Sequence, residues 1–208
     1  VRMAVILGAP SGPDTTEHEA VRLYEENKFY QAGILEAPDL WLWDLLVSPV
    51  AKTYPFTVTR PAPSSKASSL RVVLQGASDF EAEADHHLRL SVNGSLVAET
   101  TWGGRTPTTV EANLPPGLLV EGSNVLEIEN VGDTGAAYSM VFLNRFEVSY
   151  PQRLEAEGGR FEALFEGGGS AEVAGLPASA RVVETTSMSW LTGASAVGGT
   201  LGFRAEAD

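Results

Sequence analysis

The sequence predicts an all-β protein, an antiparallel β-sandwich or jelly roll followed by a smaller β unit. Short runs in which apolar and polar residues alternate recur along the chain, and turn-forming residues separate them. One pair of runs is joined by Asn93-Gly94, the dipeptide that best tolerates the two positive φ angles of a type I′ hairpin. Strand patterns do not alternate with long helical patterns, so a parallel α/β sheet is not expected.

The first fifty residues combine several patterns. A first strand is expected at residues 2–7, before a run of turn formers. Residues 17–31 have the charge content of a helix, but their apolar positions fit an edge strand, and we expect an extended segment at residues 20–25. Pro38 is followed by residues 39–46, and proline is favoured at the first position of a helix, so a short helical turn is expected there.

Residues 50–150 alternate clearly between apolar and polar side chains. Strands are predicted at residues 52–59, 69–76, 88–92, 95–100, 110–114, 125–129 and 138–150. Short strands with turn residues at this spacing are typical of an antiparallel sandwich.

The pattern changes after Pro151, where glycine-rich turns separate shorter runs. Further strands are predicted at residues 160–165, 171–174, 180–184 and 199–205. We therefore expect a sandwich over residues 1–150 and a smaller β unit over residues 151–208. The smaller unit is either cut from a longer protein or packed on the sandwich.

The charge balance limits the partners of the chain. Of its 208 residues, 14 are basic and 27 are acidic, which gives a net charge of −13. This field repels phosphate backbones and anionic lipid surfaces, so neither nucleic acid nor a membrane is expected as a partner. No apolar run is long enough to span a bilayer, and the first residues are too short for a secretory leader. If the natural protein is exported, its leader has been removed.

The residues that enzymes most often use are sparse in this chain. It has no cysteine, which excludes thiol catalysis and thiolate metal ligands. His86 and His87 are adjacent on a predicted strand, so they point to opposite faces and cannot share one ion. The common motifs of metal, serine and nucleotide hydrolases are missing. We expect no catalysis; a β-sandwich glycosidase or esterase remains an alternative only because the chain has many acidic residues.

Seven segments, in this order, carry a resemblance to a known family: YEEN at residues 24–27, FY at 29–30, WLW at 41–43, VNG at 92–94, WGG at 102–104, EGSN at 121–124 and FLNRFEVSYP at 142–151. Together they resemble the region that precedes the catalytic domain in bacterial gingipain-type cysteine peptidases and their secretion-associated relatives. In that family the region is a galactose-binding-like β-sandwich followed by further β structure. The catalytic His and Cys would lie downstream, and no residue here matches them.

The resemblance implies a non-catalytic accessory module of a secreted or cell-surface peptidase-like protein. Its partner would be a downstream domain of the same polypeptide, on which it packs or which it orients.

Carbohydrate binding is the alternative function. Sugar-binding sandwiches stack an aromatic ring on a pyranose and fix its hydroxyls with a few polar side chains. Trp102 lies at a loop edge beside Gly103, Gly104 and Arg105, and Arg105 and Asn93 are the polar candidates. The competing interpretation is that Trp102 caps the sandwich core.

The other three tryptophans are expected to pack. Trp41 and Trp43 alternate with leucines, which indicates a lid across one open end of the sandwich. Trp190 is expected in the core of the second unit or in a contact between the units.

The resemblance also implies a structural calcium ion, since galactose-binding-like sandwiches recurrently use oxygen ligands to tie a first strand to a last one. The candidate ligands are Glu25, Glu26 and Asn27 near the start and Asn144 and Glu147 near the end. In the competing interpretation Glu147 forms an ion pair with Arg145 on the flank of the sandwich, and the protein has no cofactor.

Overall fold

In the computed structural model, every regular element of the described residues is a β-strand. The structure describes residues 4–7, 14–32, 37, 39–81, 83–165, 169–185, 188–192 and 194–205. The strands are β1 Ala4–Leu7, β2 Asp14–Thr15, β3 Glu17–Glu25, β4 Phe29–Tyr30, β5 Trp41–Leu42, β6 Asp44–Val47, β7 Val50–Val58, β8 Ser68–Gly76, β9 His86–Val92, β10 Ser95–Trp102, β11 Pro107–Leu114, β12 Gly122–Asn130, β13 Met140–Arg153, β14 Gly169–Ala174, β15 Val182–Glu184, β16 Ser189–Thr192, β17 Ser195–Val197 and β18 Thr200–Ala205. The predicted all-β class is confirmed.

The chain divides into two units. The sandwich unit consists of Val21–Thr59 and Ser64–Tyr150, and the terminal unit consists of Val1–Ala20, Arg60–Pro63 and Pro151–Asp208. The expected division into a sandwich over residues 1–150 and a smaller unit over residues 151–208 stays a prediction. No helix in the part of the chain that the structure describes has the length and apolar character to cross a membrane.

Two antiparallel sheets form the sandwich. One has the strand order β10-β9-β12-β7, and the other has the order β11-β8-β13-β3, with β6 also paired to β13. Burial alternates along β9 and β12, so every second side chain of these strands faces the interior. Phe56 of β7 and Phe146 of β13 lie 5.8 Å apart, which shows that the two sheets pack face to face.

Aromatic rings fill the centre of the sandwich core. Trp43 is stacked on Phe146 at 5.7 Å, and its other neighbour is Tyr54 at 5.2 Å. Tyr24 is stacked on the same Phe146 at 4.8 Å. Burial of each large apolar side chain contributes about 1.5–3 kcal/mol, so this cluster is a major stabilising feature of the unit.

The hairpin predicted at Asn93-Gly94 is confirmed. The φ angles are 49° at Asn93 and 80° at Gly94, the two positive values that a type I′ turn requires. The turn joins β9 to β10 in antiparallel register, with Ser95 opposite Val92 and Trp102 opposite His86.

The helical turn expected at residues 39–46 is wrong, because this segment is extended. β5 pairs with β4, and β6 pairs with β13. Leu42, Trp43 and Leu46 are buried, so contacts with distant strands outweigh the helix-start signal of Pro38. Pro38 itself lies outside the described residues.

The terminal unit contains two small sheets, with strand orders β1-β16-β15 and β17-β18-β14-β2. Its core consists of Leu154, Ala171, Val173 and Phe203. The strand expected at residues 160–165 is wrong: this stretch lacks ladder pairing, and its two phenylalanines pack against that core instead. The strands expected at residues 171–174, 180–184 and 199–205 correspond to β14, β15 and β18, while residues 2 and 3 of the first predicted strand lie outside the described residues.

Candidate functional site

Trp102, the residue on which the carbohydrate prediction depends, packs against the sandwich interior. Its ring is half-buried at the end of β10, and the ring centroid lies 4.6 Å from that of His86. The indole Nε1 is buried and has no hydrogen-bond partner among the described residues. These contacts favour the interpretation in which Trp102 caps the core.

His86 is fully buried next to Trp102. Its Nε2 lies 3.0 Å from the carbonyl oxygen of Gly104, and its Nδ1 lies 2.8 Å from the hydroxyl of Ser139. Because a carbonyl only accepts, Nε2 carries the proton and Nδ1 accepts from the serine. Burial lowers the pKa of His86, which agrees with this neutral form.

Gly76 and Asp85 lie at the same corner of the sandwich as Trp102, His86 and Gly104. A Cβ atom on Gly76 would meet the carbonyl oxygen of Gly104 and would lie 2.7 Å from Nε2 of His86. The buried Asp85 carboxylate accepts hydrogen bonds from the backbone N–H groups of Phe80 and Gly104. The polar groups at this corner hold loops in place.

The three predicted ligand-binding residues do not come together. Asn93 and Trp102 lie at opposite ends of the hairpin. The seven residue steps along β10 from Ser95, which follows the turn, to Trp102 correspond to about 23 Å. The Asn93 amide donates to the carbonyl of Leu118 and to Oδ1 of Asn124, and its Oδ1 accepts from the N–H of Val125. Arg105 is exposed in the loop that follows Trp102. Asn93 thus joins two turns, while only Arg105 lies near Trp102.

The predicted calcium ligands near the C-terminal end of the sandwich contact arginines. Glu147 pairs with Arg71 at 3.1 Å and with Arg145 at 3.5 Å. Asn144 is buried, its amide nitrogen donates to Asp39, and its Oδ1 accepts from Arg145. Cationic groups on these oxygens do not fit a Ca²⁺ site.

The other predicted ligands, Glu25 and Asn27, are exposed at and just after the end of β3, as is Glu26, whose carboxylate pairs with Lys28. Within the described ranges, no group of three or more histidine and carboxylate side chains is arranged to hold a metal ion. The contacts favour the Arg145–Glu147 pair that the sequence left open, and calcium binding stays a prediction.

His87 forms a charged cluster on the outer face of the four-stranded sheet. Its Nδ1 lies 2.6 Å from Asp133, and its Nε2 lies 2.6 Å from Glu99, which also accepts from Arg89. Two carboxylate partners require a donor on each ring nitrogen, so the imidazolium form is favoured. The hydrogen bond with Asp133, followed by that with Glu99, raises the pKa of His87, and the same contacts lower the pKa of both carboxyl groups.

Sequence reasoning missed the His87 cluster. Asp133 is 46 residues away from His87 in the chain, so no local pattern connects the two side chains. The two-residue turn alone also did not indicate Glu99, because an uninterrupted register from Val92 and Ser95 would place residue 98 opposite residue 89. An irregularity between Leu96 and Ala98 shifts the register and brings Glu99 opposite Arg89.

A second feature that the sequence did not reveal is a small aromatic hairpin, formed by β4 and β5. In its register Phe29 is opposite Leu42 and Tyr30 is opposite Trp41. The rings of Tyr30 and Trp41 lie 5.0 Å apart and are 55% and 46% exposed. The two tryptophans that were both expected to pack therefore differ, because Trp43 is buried whereas Trp41 is exposed. Trp190, expected in a packed position, is 38% exposed.

Comparison with known proteins gives a match in structure only. No family model matches the sequence, and no curated protein matches it. Several carbohydrate-binding modules are weakly similar. One is the CBM36-1 domain of a multidomain xylanase from the hindgut metagenome of Trinervitermes trinervoides, with a TM-score of 0.40, 13% identity and coverage of 62% of this chain and 95% of that chain. Another is a family 35 module from an environmental isolate, with a TM-score of 0.40, 14% identity and coverage of 66% and 96%.

A much stronger similarity is to dimeric latent PorU from Porphyromonas gingivalis. The TM-score is 0.74 and the identity is 17%, and the match covers 99% of this chain and 20% of that chain. The chain therefore spans about a fifth of the length of that structure. PorU is a peptidase of the gingipain type, and the predicted resemblance is confirmed at the level of the fold: this chain has the fold of a segment of such a protein.

Proposed function

We propose that this chain is a non-catalytic accessory module of an exported, multidomain, peptidase-like protein, in which it packs on or orients a neighbouring domain. The observation that carries the proposal is the match with PorU, which includes nearly all of this chain but only a fifth of that structure. A fold that corresponds as a whole to one segment of a larger protein is expected to work next to the rest of it.

The contacts of the chemically active side chains support a structural role. His86 is neutral and buried between Gly104 and Ser139. His87 bridges Asp133 and Glu99, and Glu147 is paired with arginines. The sequence has no cysteine, so a thiol nucleophile would have to come from another part of the polypeptide.

The proposal is tested by expressing the longer polypeptide with and without this segment and measuring the peptidase activity and thermal stability of the remainder. We expect deletion to lower the yield of active remainder at least fivefold, and the separate segment to have no peptidase activity on casein. A remainder that is equally active and equally stable without the segment would contradict the proposal. Export is tested in the same strains by immunoblotting the culture medium and the cell surface.

A further inference from the structure

The aromatic hairpin presents two rings that the sandwich core does not use. The core is filled by other aromatic side chains, whereas about half of the surface of Tyr30 and of Trp41 contacts solvent. Exposing two adjacent large rings leaves apolar surface unburied, and such a patch on a folded protein commonly marks a binding surface. A ligand that binds to the rings of Tyr30 and Trp41 is therefore expected to have an apolar face of its own.

The hairpin is held in place from its inner side. Phe29 packs against Phe142 at 5.9 Å, and Leu42 is buried. Both polar groups of the Trp41 backbone are hydrogen-bonded. The N–H donates to Oδ1 of Asp39 at 2.9 Å, and the carbonyl accepts from the amide of Asn144 at 3.1 Å. Rings on a backbone anchored in this way lose little further freedom when a ligand binds.

Hydrogen-bonding groups lie beside the rings. Each oxygen of Asp39 accepts one hydrogen bond, from the N–H of Trp41 and from Asn144 respectively. A carboxylate has about four acceptor positions, so Asp39 retains the capacity to accept from ligand hydroxyls. The exposed ion pair of Glu26 and Lys28 adds further polar groups next to β4.

We propose that the aromatic hairpin is a binding site for neutral polysaccharide, in which Trp41 and Tyr30 stack on pyranose rings. The C–H groups on one face of a pyranose carry partial positive charge, which complements the electron-rich face of an aromatic ring. The hydroxyls around the sugar ring match the carboxylate beside Trp41. With a net charge of −13, the chain repels uronic acids and sulfated sugars, so the ligand is uncharged.

A sugar fits this surface better than a protein partner does. A stable protein interface buries about 800 Å² on each side around an apolar centre that is depleted of charge. Here the exposed charged residues Glu25, Glu26 and Lys28 directly precede β4, so the two rings do not lie at the centre of a surface depleted of charge. Sugar binding by the aromatic hairpin and packing on a neighbouring domain are independent proposals, so one can be wrong while the other is correct.

The test is affinity electrophoresis in native gels that contain a soluble polysaccharide. Hydroxyethylcellulose, xylan and galactomannan are the neutral probes, and polygalacturonate is the anionic probe. We expect at least one neutral polysaccharide to retard the wild-type chain and polygalacturonate not to retard it. Trp41→Ala should weaken the retardation about tenfold or more, the effect of losing one stacked ring. Trp190→Ala removes another exposed tryptophan and should have no effect.

Circular dichroism and the melting temperature establish that each variant is folded. If Trp41→Ala does not fold, oxidation of the wild-type chain by N-bromosuccinimide replaces it, with the site of modification mapped by mass spectrometry. We then expect the retarding polysaccharide to protect Trp41 and not Trp190. Lack of retardation or protection by all three neutral probes would overturn the proposal, as would equal binding by folded Trp41→Ala. Self-association that depends on Trp41 without polysaccharide binding would assign the hairpin to protein contact and overturn it as well.

Discussion

At the scale of single residues, two adjacent histidines differ because they lie on opposite faces of β9. His86 faces the interior and is neutral, since burial lowers its pKa. His87 faces outward, where Asp133 and Glu99 raise its pKa. Their contributions to stability therefore depend on pH in opposite directions: that of His86 is lost as the pH falls, and that of His87 is lost as the pH rises.

The pH dependence of the His87 cluster leads to a first prediction. Because its folded-state pKa is raised, the stabilisation is fully present below the pKa of an unfolded histidine, about 6.5, and is lost as the pH rises through the folded-state pKa. Because the pKa values of Asp133 and Glu99 are lowered, both carboxylates are ionised at pH 5.5 and at pH 9, so only His87 changes its charge between these pH values.

His87→Gln should therefore lower the melting temperature by about 2–4 °C at pH 5.5 and by much less at pH 9. Differential scanning calorimetry at the two pH values measures this difference. Asp133→Asn, which removes one of the two carboxylate partners of His87, should show the same trend. An equal loss at both pH values would show that the charge of His87 does not contribute.

The close packing at Gly76 leads to a second prediction. Gly76→Ala places a methyl group against the carbonyl of Gly104 and the ring of His86, so we expect a loss of about 1–3 kcal/mol in the free energy of unfolding. Gly103→Ala is the matched control from the neighbouring loop, because a Cβ there has its nearest contacts at 3.9 Å. Urea denaturation measures both variants. Equal stability of the two would mean that the Gly76 corner relaxes at no cost.

At the scale of elements, the hairpin of β9 and β10 depends on Asn93 for more than its φ angle. The Asn93 side chain connects the turn to Leu118, Asn124 and Val125 through three hydrogen bonds. Asn93→Ala removes all three, and we expect a loss of about 2–3 kcal/mol in the free energy of unfolding. The exposed Asn113 on β11 provides a control, since Asn113→Ala should change stability by less than about 0.5 kcal/mol. If both variants unfold at the same urea concentration, the hydrogen bonds of Asn93 add nothing.

The segment at residues 39–46 shows how pairing overrides a local signal. A proline followed by alternating leucine and tryptophan permits either a helical turn or a strand. The extended form buries Leu42, Trp43 and Leu46 and satisfies the backbone through β4 and β13. This choice also places Trp41 on the outside, which creates the aromatic hairpin.

At the scale of the whole molecule, the division into two units makes a prediction about fragments. The sandwich unit begins at Val21 and ends at Tyr150, and residues 1–20 are grouped with the terminal unit. We propose that the sandwich folds by itself. Fragments 1–150 and 21–150 should then unfold cooperatively, with melting temperatures within about 2 °C of each other, in circular dichroism. A fragment 21–150 that lacks a cooperative transition would show that the N-terminal residues are part of the sandwich.

The sequence by itself determined the all-β class, most of the strands and the turn at Asn93-Gly94, because alternation and turn chemistry act over a few residues. Only the tertiary structure decided which aromatic rings are exposed and which partners each polar side chain has. Trp41 and Trp43 are two residues apart and share one alternation pattern, yet only Trp43 is buried. The partners of His87 and Glu147 come from distant strands and loops, and packing between these segments sets the contacts that local patterns leave open.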